Sequence, residues 1–255
     1  MKLYDNPLSP YAFKVRAALY EKGLEVEHHE IVRESQRDEL LAVSPRGEVP
    51  ALVDGDAVVW DSTIICEYLE QRHPTPPLMP ADAAGRARVR ALERWADMQL
   101  DGCVIVFAIA ELFRPDVGQA HPDALRRAGE ALDQLYGSLD ARLTEGDWLL
   151  GEFTRADVAV APHVTAATFM GHGVPGKYAR LTKWAERLSA RPSIARASQE
   201  ALAAFQASQS EPEPFFRMTR LHWRDARIEW ALRCGLGSWL LDELAADRAF
   251  FSPVA

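Results

Sequence analysis

Short strand-like runs alternate with helical periods over the first 75 or so residues, and beyond Arg86 the strand signal nearly vanishes. Strands are expected over 2–5, 25–32, 51–53 and 57–60, with helices over 10–22, 38–43 and 62–72. The last two strands meet through Asp54-Gly55, a two-residue hairpin signal. An order of β-α-β-α-β-β-α restricts the chain sharply, because each helix must return across a small sheet and bury one stripe against it. The run HPTPPLMPADAAG then interposes four prolines, which reads as a linker. Long amphipathic patterns follow over 86–113, 122–143, 156–170, 178–190 and 193–207, with apolar residues recurring at three and four as a packed bundle requires.

The expected architecture is therefore α/β plus all-α: a thioredoxin-like domain over 1–75, a linker over 76–85, a helical bundle over 86–207 and a C-terminal helical extension over 208–255. Two domains suit a chain of 255 residues. Thr154 and Asp157 have the spacing of a capping box, with Phe153 and Val158 placed as a hydrophobic staple. The extension follows a second break, SQSEPEPFF, and is too apolar for a disordered tail, since Trp223, Ile228, Trp230, Trp239 and Leu240 all need somewhere to pack. Its pattern predicts two short helices around Gly235-Leu236-Gly237, folded back on the domain cleft.

A formal charge of −8 speaks against nonspecific nucleic-acid binding, which needs a basic surface. No signal peptide or membrane span is evident, so the expected residence is cytoplasmic, with no nucleic-acid or membrane partner. Cys66, Cys103 and Cys234 are odd in number and far apart, and no His-Glu-x-x-His occurs, so neither a disulfide framework nor a metal site is expected.

The segment SPYAFKVR sits where a thiol-redox loop would open its helix, yet Ser9 and Ala12 replace the two cysteines. Electron exchange by this loop is excluded, while a helix start that favours negative charge remains and can hold another molecule's thiolate. Together with GEVPALVDGDAVVWDSTIICEYLE and the helical second half, this segment resembles the glutathione transferase family over about residues 1–205. The resemblance implies glutathione as co-substrate, no metal, and transfer of its thiolate to an apolar electrophile. It implies that Ser9 donates a hydrogen bond to the glutathione sulfur, with Tyr4 and Tyr11 as alternatives. It implies that Val49 offers its main chain to the cysteinyl part before a cis Pro50, and that Asp61 and Ser62 begin a helix that receives the γ-glutamyl carboxylate.

Two positions depart from the family pattern: Glu48 stands where many members carry Lys or Gln, and Asp61 replaces the more common Glu. Arg37 and Arg46, or Lys14 and Arg16 on the first helix, are the cations available to compensate. Tyr11, Phe107 and Phe113 are the candidates for the acceptor wall. The resemblance also implies a homodimer, in which Arg86, Arg88, Arg90 and Arg94 would face Glu67 and Glu70 of a second subunit. A second reading is a non-catalytic protein of the same fold whose extension docks on a regulatory partner.

Overall fold

The computed structural model describes residues 1–143, 146–210, 221–223 and 225–251. Strands β1 (Lys2–Asp5), β2 (Glu27–Glu30), β3 (Ala51–Asp54) and β4 (Ala57–Trp60) form one sheet in the order β2-β1-β3-β4. β1 runs parallel to β2 and antiparallel to β3, and β3 pairs antiparallel with β4. A parallel neighbour needs a crossover, and α1 (Pro10–Glu21) supplies it. The tight β3-β4 connection is closed by Gly55 at φ 60, a conformation that favours glycine. Helices α2 (Arg37–Leu41) and α3 (Ser62–Arg72) complete this domain.

Along β1 the side chains alternate, with Leu3 and Asp5 buried and Lys2 and Tyr4 half-buried. Leu3 thereby joins Val15 and Leu19 of α1, Leu52 of β3, and Ile65 and Leu69 of α3 in one core. Burying each such side chain contributes about 1.5–3 kcal/mol, which fixes which face of the sheet meets α1 and α3. The opposite choice, a one-residue slip, would put Tyr4 inside and Leu3 in solvent.

The helical domain begins with α4 (Ala83–Trp95) and α5 (Asp101–Phe107). Where the periodicity predicts one helix over 86–113, the structure has two π-helical segments, Ala96–Leu100 and Ala108–Phe113. The wider turn changes which carbonyls find partners inside the helix, a feature often met at functional sites. Then come α6 (Pro115–Ala120), α7 (Pro122–Arg142), α8 (Arg155–Phe169), α9 (Ala179–Ala190) and α10 (Pro192–Gln209). α6 is too short for a periodic signal and was not expected. α8 opens on the expected capping box: Thr154 N–H donates to Asp157 at 3.0 Å while the Thr154 hydroxyl accepts from Ala156 N–H. Asp157 also accepts from Leu149 N–H and from Trp184 Nε1, so one buried carboxylate ties three segments together.

The extension contributes β5 (Leu221–His222), α11 (Asp225–Arg233), α12 (Gly237–Ala245) and β6 (Ala249–Phe250), with β5 parallel to β6. Strands of two residues leave no alternation to read, and none was expected there. Gly235, at φ 87, makes the corner between the helices. α11 lies on α5 with the Trp230 ring seated over Gly102, where a Cβ atom would collide with it. Trp223 and Trp239 meet edge to face at 5.8 Å. Most of the SQSEPEPFF break, and residues 217–220 of the segment expected to begin the extension, lie outside the described residues.

Candidate functional site

A shallow recess lies on the first domain, lined by Tyr11, Ser44, Glu48, Val49, Pro50, Trp60, Asp61 and Ser62. Its free volume of about 10 Å³ is room for one water. Three local structures build it. The loop before β3 ends in a cis Val49–Pro50 bond. At the far end of β4, Asp61 adopts φ 73, ψ 127 and caps α3, its carboxylate accepting from Thr63 N–H at 2.9 Å and Ile64 N–H at 3.2 Å. A positive φ is uncommon for a residue with a Cβ, and such strain concentrates at functional positions. The first turn of α1 brings in Tyr11.

The recess thus gathers Tyr11, Val49, Pro50, Asp61 and Ser62 from three separate stretches of sequence. Ser9 does not line it. Ser9 caps α1, its Oγ accepting from Ala12 N–H at 3.3 Å. That bond uses a lone pair of the hydroxyl and leaves its proton to donate elsewhere. Tyr11 differs, because its hydroxyl donates to the Asp97 carbonyl at 3.1 Å. Tyr4 faces the other side of the sheet, edge-on to the His29 ring at 5.0 Å and under the Lys2 ammonium at 4.9 Å. Arg37 lies beside Gly47, outside the recess lining.

Three sequence expectations are corrected by the packing. Lys14 is buried and pairs with Asp97 at 2.8 Å and Glu93 at 3.2 Å, so it cannot serve a ligand in the recess. Burial alone would push its ammonium down, but those two carboxylates outweigh that and hold it above the ordinary lysine range. Arg16 is likewise buried, held by Asp5 at 2.9 Å and by the Pro7 carbonyl. Phe107 lies in the helical core, stacked on His172 with centroids 3.9 Å apart, and Phe113 packs half-buried against the same core. Neither is a recess residue, because both lie on the side of their helix that meets the bundle. Of the charges expected to face a second subunit, Glu67, Glu70, Arg86 and Arg90 pair within the chain. Glu67 pairs with Arg86, Arg90 and Arg155 at 3.3, 2.8 and 3.1 Å, and Glu70 pairs with Lys22 at 2.8 Å.

Three residues near the recess escaped the sequence reading. Arg227 of α11 holds Asp101 at the start of α5 through two bonds of 2.7 and 2.9 Å, and its guanidinium stands 5.8 Å from the Tyr11 ring. Burial would lower the Arg227 pKa, but Asp101, with smaller contributions from Tyr11 and Glu48, raises it. Glu48 itself accepts from Arg46 at 3.2 Å. His163, buried in α8, meets the Tyr11 ring edge-on at 6.3 Å. Burial pushes the His163 imidazole below its ordinary pKa against the pull of Asp101 and Asp97. No spacing rule links residues 11, 101, 163 and 227, so no sequence signal could have gathered them.

A small mixed sheet with a cis-proline loop and a capped helix, joined to a helical bundle, defines the glutathione transferase fold. The family models described as the N-terminal and C-terminal domains of glutathione S-transferase match residues 3–77 and 122–187. Glutathione S-transferase 3 of Zea mays is 32% identical over 209 residues, 76% of this chain and 91% of that protein. FtsZ-localized protein A of Caulobacter vibrioides is 32% identical over 199 residues, 74% of this chain and 87% of that protein. A solved glutathione S-transferase from Methylobacterium radiotolerans, in complex with glutathione sulfonate, is 30% identical with a TM-score of 0.65, covering 77% of this chain and 93% of that one. The chain belongs to the glutathione S-transferase family. Among the described residues there is no group of three or more potential metal ligands, and no helix is long and apolar enough to cross a membrane.

Proposed function

We propose that the protein binds glutathione in the recess and transfers its thiolate to an apolar electrophile. The observation that carries this reading is the convergence of the Val49–Pro50 main chain and the capped start of α3 on one recess. An extended tripeptide can pair with the Val49 main chain as an added strand would. Its γ-glutamyl carboxylate is favoured at the positive end of α3, beside Asp61 and Ser62. A free thiol of pKa about 8.5 is only a few per cent ionised at pH 7. The Ser9 hydroxyl, donating to sulfur at the start of α1, stabilises the thiolate and so raises the attacking fraction. With a haloarene, the sulfur–carbon bond forms as the carbon–halogen bond breaks, the halide leaves with the bonding pair, and the thiol proton passes to solvent.

Turnover of chlorodinitrobenzene by the purified protein tests this reading, with thioether formation above the uncatalysed rate as the expected outcome. No acceleration at saturating glutathione would contradict it. A second reading is favoured by one observation, the extension packed beside a recess of only about 10 Å³. On that reading the protein is a non-catalytic regulator, as the similarity to FtsZ-localized protein A suggests, and its surface docks on a protein partner. A homodimer and cytoplasmic residence belong to both readings.

A further inference from the structure

Three of the residues around Tyr11 come from the helical part of the chain: Asp97, His163 and Arg227. Of these, Arg227 alone belongs to the extension, beyond the stretches that the family models match. Its side chain is only 17% exposed and its partner Asp101 5%, so the pair is shielded from competing water and salt. The bond is two-pronged, which fixes orientation as well as distance. On the same helix Trp230 sits over Gly102, one residue past Asp101. The following helix is anchored separately, with Glu243 of α12 pairing with Arg114 at 2.7 Å and with Arg248 at 2.8 Å. α11 is thus fastened where α5 begins, with its Arg227 beside the Tyr11 ring, while Glu243 fastens α12 beyond the end of the second π-helical segment.

We propose that Arg227 is a positioning residue that latches the extension over the acceptor side of the cleft and thereby restricts the acceptor to small electrophiles. This rests on the transferase reading, since an acceptor must approach the sulfur past Tyr11. With Arg227 paired to Asp101, the Tyr11 ring is walled by the Arg227 guanidinium 5.8 Å away and by the buried His163 ring at 6.3 Å. A one-ring acceptor needs little displacement of this wall, whereas a two-ring acceptor needs α11 to lift and the Asp101 pair to break. Glutathione itself is gripped on the far side, by the loop at Val49 and the start of α3, and does not need the latch to open.

The test compares wild type, Arg227→Ala and Arg227→Lys with chlorodinitrobenzene as one-ring acceptor and 4-bromomethylbiphenyl as two-ring acceptor. Lysine keeps the charge and loses the two-pronged bond. In Arg227→Ala the two-ring to one-ring ratio of kcat/KM is expected to rise by about tenfold or more, with glutathione Kd unchanged within about twofold and Arg227→Lys in between. A folded Arg227→Ala with the wild-type ratio would overturn the proposal, and if that variant does not fold, a wild-type ratio in Arg227→Lys overturns it. A merely structural arginine would lower both rates together and leave the ratio alone. Acrylamide quenching of tryptophan fluorescence reports on the latch apart from turnover, because Trp223, Trp230 and Trp239 all lie in the extension. If the wild type neither binds glutathione nor turns over, the transferase reading fails. The latch then stands on increased quenching in the variants, and unchanged quenching removes it.

Discussion

The Tyr11 hydroxyl donates to the main-chain carbonyl of Asp97 at 3.1 Å, so the aromatic ring that lines the recess spends its proton across the domain boundary. Ser9, two residues earlier, uses only a lone pair in capping α1. The two candidates for activating a thiol therefore differ in what they have left to give.

Ser9→Ala is expected to lower turnover with chlorodinitrobenzene by roughly ten- to a hundredfold, the loss of one charge-assisted hydrogen bond of about 1.5–3 kcal/mol. Glutathione affinity should stay near wild type, because the peptide is held by main chain and helix start rather than by the hydroxyl. Tyr11→Phe should leave turnover within a few-fold. The reverse ranking in steady-state kinetics would move the donor role to Tyr11.

Asp61 both caps α3 and sits at φ 73, and the two facts pull a substitution in different directions. Asp61→Ala loses the bonds to Thr63 and Ile64 and keeps the unfavourable backbone, with an expected cost of about 1–2 kcal/mol. Asp61→Gly loses the same bonds but adopts φ 73 freely, so it should be the more stable of the two by about 1 kcal/mol. Urea denaturation of both variants checks the order. Both should weaken glutathione binding.

The first domain was largely legible because each of its elements carries its own signal. The hairpin at Asp54-Gly55, the alternation around Leu3 and the cap at Asp61 are all local patterns. The capping box at Thr154 was legible for the same reason. The pairing of the charges was not legible, since pattern shows that Arg86, Arg90 and Glu67 exist but not that α8 delivers Arg155 to the same carboxylate. Phe107 illustrates a related limit: an aromatic on a predicted helix can face cleft or core, and only the packing on His172 decides. The recess could be named by resemblance at Val49, Pro50, Asp61 and Ser62, whereas Arg227 and Asp101 meet across 126 residues with no motif to join them.

Burial alone would raise the Glu67 carboxyl, but hydrogen bonds from Arg90 and Arg155 outweigh it and hold the pKa at about 2. The folded state then binds fewer protons than the unfolded one below the ordinary glutamate pKa of about 4.3. The stability this carboxylate contributes is present above that pH and is lost as pH falls towards about 2. Glu67→Gln should be less stable than wild type at pH 7, with the gap closing as pH drops through this window in denaturant titrations. A gap of constant size would mean that Glu67 does not titrate in the fold.

Glu67 and Glu70 pair inside the chain, and the first domain also carries an exposed apolar surface. Val58 and Trp60 on the edge strand β4 and Ile64 on α3 are 50%, 40% and 56% exposed, and Trp60 also borders the recess. We propose that these apolar side chains meet a second copy. Ile64→Lys is expected to shift the mass by light scattering from dimer to monomer at micromolar concentration, and a monomeric wild type would contradict the proposal.

Whether the recess at Val49, Pro50, Asp61 and Ser62 binds glutathione is tested most directly by thermal unfolding in the presence of glutathione. A ligand at about 100 times its dissociation constant adds about 2.7 kcal/mol to the folded state. The expected result is a midpoint that climbs by several degrees with glutathione concentration in wild type and by much less in Asp61→Ala. A wild-type midpoint that stays put up to millimolar glutathione would contradict such binding, and the fold would then be a transferase scaffold kept for another purpose.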